Sequence, residues 1–210
     1  MFMQELPGLN CRIDAYVAHI QLTRTSTLNT FTFDDFAHLA ACFDHISANT
    51  DVRCVILSAL PDSKAFTAGL DLKETSAFPQ KSDDAARQGL GFLNAVTILQ
   101  QNITSIEKCS KPVVACVSGI CFGAGIDIIT ACDIRLCSRD AVFSVKEVDI
   151  GICADLGTLQ RLPKICGNQS WVKDVSLTAR SFGADEALQF GLVSRVLDTR
   201  QSLIGTNSIT

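Results

Sequence analysis

The segment Phe143–Gly167, FSVKEVDIGICADLGTLQRLPKICG, sets Glu147, Asp149 and Asp155 within nine residues of one another in a run otherwise rich in Val, Ile, Leu and Cys. An apolar run that becomes buried rejects isolated negative charge, because an unpaired carboxylate loses several kcal/mol of hydration there. Either partners compensate these acids or the acids are used. Carboxylates crowded in a low-dielectric pocket cannot all ionise, so one keeps its proton near neutral pH and can act as an acid while another acts as a base. Structural roles compete with that chemistry: Asp155, ahead of LGTLQRL, suits a helix N-cap, and Glu147 could pair with Arg161. Asp149 has no role beyond a satisfied polar contact.

Two other stretches combine small residues with the end of a strand-like run: Ala65–Asp71, AFTAGLD, after VILSAL, and Gly119–Gly125, GICFGAG, after VVACVS. Where a strand gives way to a helix, unpaired backbone N–H groups face outward, and small side chains let a ligand oxygen approach. Two such loops can hold one oxyanion between two N–H donors, which stabilises an enolate or a tetrahedral intermediate without a metal. The plainer use of these glycines is tight turning and close packing. A GxGxxG fingerprint and a P-loop Lys are absent, which disfavours phosphate cradling of those kinds.

The elements that must carry these groups alternate. Ala15–Thr23 has the period of a strand, Phe33–Ser47 that of an amphipathic helix, and Val52–Leu60 is a short apolar run suited to a buried strand. Asp83–Glu107 predicts a long helix that stops before Lys111-Pro112. Pro112–Ser118 is strand-like, and Gly119–Asp133 predicts a buried helix with a glycine-rich start, which places Asp127 in its first turns where the helix dipole favours a negative charge. Strand and helix patterns recur through Arg135–Ser138, Leu156–Leu162, Ser170–Leu177, Ala184–Phe190 and Leu192–Leu197. That alternation predicts an α/β architecture without linker or internal repeat, over residues 1–198, followed by a polar tail at 199–210 with no helical period.

Composition narrows the classes. The 210 residues suffice for one sizeable core, and 47% hydrophobic with 19% charged residues is a globular balance. A net charge of −4 without a basic cluster argues against nucleic acid or an anionic membrane surface as partner. No stretch reaches the ~20 apolar residues of a membrane span. Ten cysteines occur without a CxxC, and the Cys116/Cys121 and Cys132/Cys137 pairs lack the further ligands of a tetrahedral zinc site. They read, with Cys54 and Cys153, as buried thiols of a reducing compartment, and no metal is expected. Neither a secretory signal nor an Arg-rich transit peptide is visible at the start, and the terminal Ser-Ile-Thr is not a peroxisomal address, so the compartment is not written here. His19, His38 and His45 fall away from every motif.

Four stretches in order, Lys64–Glu74 (KAFTAGLDLKE), Lys111–Ser138, Phe143–Asn168 and Leu177–Asp198, resemble the enoyl-CoA hydratase/isomerase (crotonase) family over roughly residues 12 to 198. The resemblance implies a spiral of ββα units, here with the family's C-terminal helical region largely missing. It implies an acyl-CoA thioester as ligand, coenzyme A being part of the substrate rather than a separate cofactor, and a homotrimer or hexamer as in relatives. The thioester oxygen would lie between the backbone N–H groups of Ala68 and Ala124, the latter standing where most relatives carry Gly. Gly69, Leu70, Asp71 and Gly125 complete the implied binding loops.

Within the family the acids decide the reaction. Asp127, Glu147 and Asp155, with KEVDIG and ADLGTLQRLPK around them, resemble the branch that converts 3,5-dienoyl-CoA to 2,4-dienoyl-CoA in unsaturated fatty-acid β-oxidation, in the mitochondrial matrix or the peroxisome. By that resemblance Glu147 removes a proton from C2, Asp155 returns one at C6, and Asp127 is a supporting carboxylate that tunes them. Hydration or Δ3-Δ2 isomerisation of an enoyl-CoA, and a truncated non-catalytic acyl-CoA-binding homologue, are the competing readings.

Overall fold

The computed structural model describes residues 3–73 and 83–204, with side chains for 6–73 and 83–203. Glu74, the last residue of the KAFTAGLDLKE stretch, lies outside them. Two sheets organise the chain. The larger begins with an antiparallel meander, β1 (Met3–Leu6), β2 (Leu9–Asp14) and β3 (Val17–Leu22), and continues in parallel through β4 (Cys54–Ala59), β6 (Val113–Val117), β8 (Ile134–Ser138) and β11 (Arg195–Leu197). The smaller sheet holds β5 (Ala65–Thr67), β7 (Ile120–Phe122) and β9 (Val142–Ser144) in parallel, with β10 (Phe182–Gly183) antiparallel at its edge.

Each turn of the spiral gives one strand to each sheet before a helix: β4 and β5 precede α2 (Ala85–Glu107), and β6 and β7 precede α3 (Ala124–Thr130). Because β5 and β7 are neighbours in one short parallel sheet, the loops leaving their C-terminal ends are forced side by side. The expected helix over Gly119–Asp133 is thus corrected: Ile120–Phe122 is a strand and the helix is only Ala124–Thr130. Strands of two or three residues leave no readable period, which also hid β5, β9 and β10. The N-terminal hairpin β1–β2 was not anticipated either.

Helix boundaries follow local chemistry. In α1 (Phe33–Ala48) Thr32 and Asp35 form a capping box, with Asp35 N–H donating to Thr32 Oγ1 at 3.1 Å and Thr32 N–H to Asp35 Oδ2 at 2.8 Å. Asp84 caps α2 through the N–H groups of Ala86 and Arg87. The later helices are α4 (Thr158–Ile165), α5 (Gln169–Thr178), α6 (Ala184–Gln189) and α7 (Arg200–Ile204). Helix α7 corrects the polar-tail expectation for residues 200–204: Leu203 is buried against Val114, Cys116 and Leu136 on the outer face of the large sheet. Residues 205–210 lie outside the described part of the chain.

The core between the sheets and helices is continuous, with Phe36, Phe43, Phe66, Phe143, Leu57, Ile103 and Ile126 among its fully buried side chains. Cys116, Cys121, Cys132 and Cys137 are buried thiols, whereas Cys54 is half-buried and Cys153 is exposed. Cys153 departs from its apolar sequence context because it sits on a surface loop between a 3-10 turn and α4. Among the described residues no helix is long and apolar enough to cross a membrane.

Candidate active site

The loops after β5 and β7 meet at Gly69. Its φ of +95° is left-handed, and a Cβ there would stand 2.8 Å from Phe122 O and 3.3 Å from Ala124 N, so only glycine lets the two backbones approach this closely. A strap formed by Leu28–Phe31 fixes the β5 loop. Ala68 N–H donates to Leu28 O at 2.9 Å, Gly69 N–H to Thr67 Oγ1 at 3.0 Å, and Asp71 N–H to Phe31 O at 2.8 Å. Thr67 Oγ1 in turn donates to Asn29 O at 2.6 Å, and the Asn29 amide, buried, donates to the carbonyls of Ala65 and Phe66.

This strap corrects the expected donor. The Ala68 N–H is spent on Leu28, and among the described residues the N–H left without an acceptor in this loop is that of Leu70. The parallel bridge between Phe31 and Leu70 uses the groups on either side of Leu70, as a parallel ladder does, and turns the Leu70 N–H outward. On the other loop Ala124 is the first residue of α3, where the N–H has no intrahelical partner. Gly123 precedes it at φ +53° and donates its own N–H to Ser144 O at 3.0 Å.

A cavity of about 600 Å³ opens over these groups. Its lining includes Ala68, Leu70 and Ala124 from the two loops, Glu147 and Asp155, and an apolar wall of Phe92, Val96 and Leu99 from α2 facing Ile150, Ile152 and Leu156. The other binding positions expected from sequence are structural. Gly69 and Gly125 are packing positions, a Cβ at Gly125 falling 2.8 Å from Thr67 Cγ2. Asp71 turns toward Arg24, Thr30 and its own loop, accepting from Lys73 N–H at 3.1 Å.

The acids differ in surroundings. Glu147 opens a 3-10 turn, Glu147–Ile150, that follows β9, and its Oε1 lies against Gly123, 3.5 Å from where a Cβ would stand. It is 8% exposed, and its Oε2 has no hydrogen-bond partner among the described residues. Burial, with the neighbouring charges of Asp127 and Asp155, pushes its carboxyl up to about 7. Arg161 is not its partner, being taken by Glu107 at 2.7 Å. Asp155 is half-buried on the cavity wall, and its backbone carbonyl accepts from Gln100 Nε2 of α2 at 2.7 Å. It is not an N-cap, since Gly157 precedes α4.

Asp127 is where the structure departs from the expectation of three acids around one hollow. It is fully buried and absent from the cavity lining; it stands behind the other two. Oδ1 accepts the Thr158 N–H of α4 at 2.5 Å, while Oδ2 is buried without a partner. Burial raises its carboxyl to about 6, opposed by the hydrogen bond from the Thr158 N–H and by Arg161. Asp127 therefore acts on the cavity only through its field on Glu147 and through the backbone of α4. At the rim Lys146 pairs with Asp149 at 2.7 Å and lies 5.8 Å over the Phe122 ring, which gives Asp149 its satisfied contact.

Sequence reasoning missed the strap, and it named Arg161 as a partner of Glu147 whereas Glu107 and Thr104 hold it. The signal for the strap was Asn29 in TRTSTLNTF, since a buried Asn at φ +54° is a backbone organiser. Chemically, the site pairs two backbone donors with two carboxylates along an apolar trough, an arrangement suited to moving protons next to a carbonyl whose oxygen becomes negative.

Comparison with known proteins gives the same frame. Residues 12–206 match the family described as enoyl-CoA hydratase/isomerase. The chain is 45% identical over 191 residues to the mitochondrial Δ(3,5)-Δ(2,4)-dienoyl-CoA isomerase of Homo sapiens, a match covering 90% of this chain and 58% of that protein. It is 42% identical to the peroxisomal Δ(3,5)-Δ(2,4)-dienoyl-CoA isomerase of Arabidopsis thaliana over 90% of this chain and 68% of that one. The chain thus spans little more than half the length of the mammalian relatives it matches. Among solved structures, an enoyl-CoA hydratase from Bacillus anthracis superposes with a TM-score of 0.82 at 27% identity, over 96% of this chain and 74% of that one. With two facing N–H donors, a spiral of paired sheets and a family match over residues 12–206, this chain belongs to the enoyl-CoA hydratase/isomerase family.

Proposed function

We propose that the protein isomerises 3,5-dienoyl-CoA to 2,4-dienoyl-CoA. The observation that carries the reading is the placement of Glu147 and Asp155 on the wall of one apolar cavity whose floor holds the free N–H groups of Leu70 and Ala124. A thioester oxygen between those donors puts C2 beside one carboxylate and lays the acyl chain along the wall toward the other. Glu147, ionised in part near neutral pH, takes the C2 proton; the charge of the extended dienolate rests on the thioester oxygen, where the donors lower the barrier; Asp155 gives a proton to C6 as the dienolate electrons shift to the 2,4-diene, and exchange with solvent takes the proton off Glu147 and returns one to Asp155.

The names of similar proteins support the substrate class, and those relatives are named as mitochondrial and peroxisomal, compartments we extend to this chain. Coenzyme A arrives as part of the substrate, no further cofactor takes part, and the assembly is a homotrimer or hexamer, testable by light scattering of the purified chain. The reaction itself is tested by supplying a 3,5-dienoyl-CoA and a 2-enoyl-CoA separately and following the conjugated 2,4-dienoyl absorbance and the loss of the enoyl band. Turnover of the first alone is expected, and Asp155→Asn should lower it by about 10²–10⁴-fold. Hydration of the enoyl-CoA alone, or binding without turnover of either, overturns the proposal.

A further inference from the structure

Arg161 is buried, and its guanidinium is gripped from one side only. Nε and Nη2 donate to Glu107 Oε2 at 3.0 and 2.7 Å, and Nη2 also reaches Thr104 Oγ1 at 3.1 Å, all on α2. Nη1 is buried without a hydrogen-bond partner. It faces the space that Gly157 leaves free of a side chain: a Cβ there would collide with Nη1 and would stand 3.6 Å from Asp127 Oδ1. The guanidinium and the Asp127 carboxylate therefore face one another across Gly157, within the ~4–6 Å over which an opposite charge favours ionisation. Both carry a buried unpartnered polar atom, Nη1 and Oδ2.

We propose that Arg161 is a positioning residue for the acid pair: anchored on α2 by Glu107 and Thr104, it presents its free Nη1 across Gly157 to the Asp127 carboxylate and through Asp127 sets the charge that Glu147 meets at the cavity wall. This deepens the dienoyl-CoA isomerase reading and rests on it for its catalytic meaning. The groups facing Asp127 are Thr158 and Arg161 of α4, Asp155 ahead of α4, Glu147 of the 3-10 turn and Cys121 of β7. Arg161 supplies the one positive charge among them. Glu147 is faced by Asp127 and Asp155. Removing the positive charge lets Asp127 bind a proton, which relieves Glu147 of a like charge and makes it a stronger acid.

The test reads the carboxylates directly, by 13C NMR titration of Asp- and Glu-labelled, substrate-free protein. In Arg161→Gln the Asp127 midpoint should move up and that of Glu147 down by about one pH unit. Arg161→Lys, which keeps the charge, should restore most of the parent titration, a rescue that a purely structural role would not give. Gly157→Ala leaves Arg161 in the chain but displaces Nη1, and should move Glu147 in the same direction as Arg161→Gln. In an Asp127→Asn background Arg161→Gln should leave Glu147 where it is. An unchanged or raised Glu147 midpoint in Arg161→Gln and Gly157→Ala, or the same drop in the Asp127→Asn background, overturns the inference. Absence of dienoyl-CoA turnover in the parent protein, with these shifts present, overturns the proposed reaction and leaves the coupling intact.

Discussion

Glu147→Gln separates the cost of the site from its use. In the folded protein burial and two neighbouring acids raise this carboxyl from 4.5 to about 7. A group whose folded pKa lies above its unfolded value contributes stability that is complete below the unfolded pKa and lost as pH rises through the folded one. For Glu147 that window runs from 4.5 to about 7, and above it the folded state bears the whole cost of a buried charge. At 1.36 kcal/mol per pKa unit the cost is roughly 3 kcal/mol. Glutamine keeps the shape without the charge, so the variant's advantage should be full at pH 8 and shrink steadily as pH falls toward 4.5. At about 2–4 °C per kcal/mol for a chain of this size, the Tm difference at pH 8 should be roughly 5–10 °C. Thermal unfolding of both proteins at pH 5, 6, 7 and 8 measures it, while dienoyl-CoA turnover by the variant should be lost. Parallel stabilities at every pH, or a variant less stable at pH 8, would refute the reasoning that Glu147 is held against its hydration for chemistry.

The kcat/KM for 3,5-dienoyl-CoA should rise with pH through about 7, the Glu147 midpoint, because the base must be ionised to accept the C2 proton; a flat profile between pH 5.5 and 8.5 removes Glu147 from that role. Gly69→Ala should destabilise the chain by about 1–3 kcal/mol in urea unfolding, since φ is +95° and the new Cβ meets Phe122 O at 2.8 Å; an unaltered midpoint would deny the close approach of the two loops. Asn29→Ala leaves Ser63 Oγ and the carbonyls of Ala65 and Phe66 without their shared donor, so it should cost about 1–3 kcal/mol and lower kcat/KM by loosening the loop that carries Leu70; wild-type values for both would discharge the strap from any part in the site.

Much of this protein is legible in its residue order. The long helices α1 and α2 and the parallel strands β3, β4 and β6 follow from apolar period and capping chemistry, because each is settled by neighbours within a turn or two. The binding loops are visible as glycine-rich punctuation after strand-like runs, and the acids as charges out of place in apolar company. Which atoms in those loops are available was not visible. Ala68 and Leu70 are two residues apart in one motif, and only the pairing of that motif with Leu28–Phe31, about 40 positions earlier in the chain, decides that Ala68 gives its N–H to Leu28 while Leu70 keeps its own. The same limit applies to Asp127. Like Glu147 and Asp155 it is an acid in an apolar run, yet the crossing of α3 with α4 seals it behind Thr158 and Arg161 and turns a candidate in the cavity into a charge acting through the wall. Sequence determined which groups exist and which local shapes they favour; tertiary packing decided which are spent on one another and which stay free to meet a substrate, because hydrogen-bond partners and burial are properties of residues that are distant along the chain.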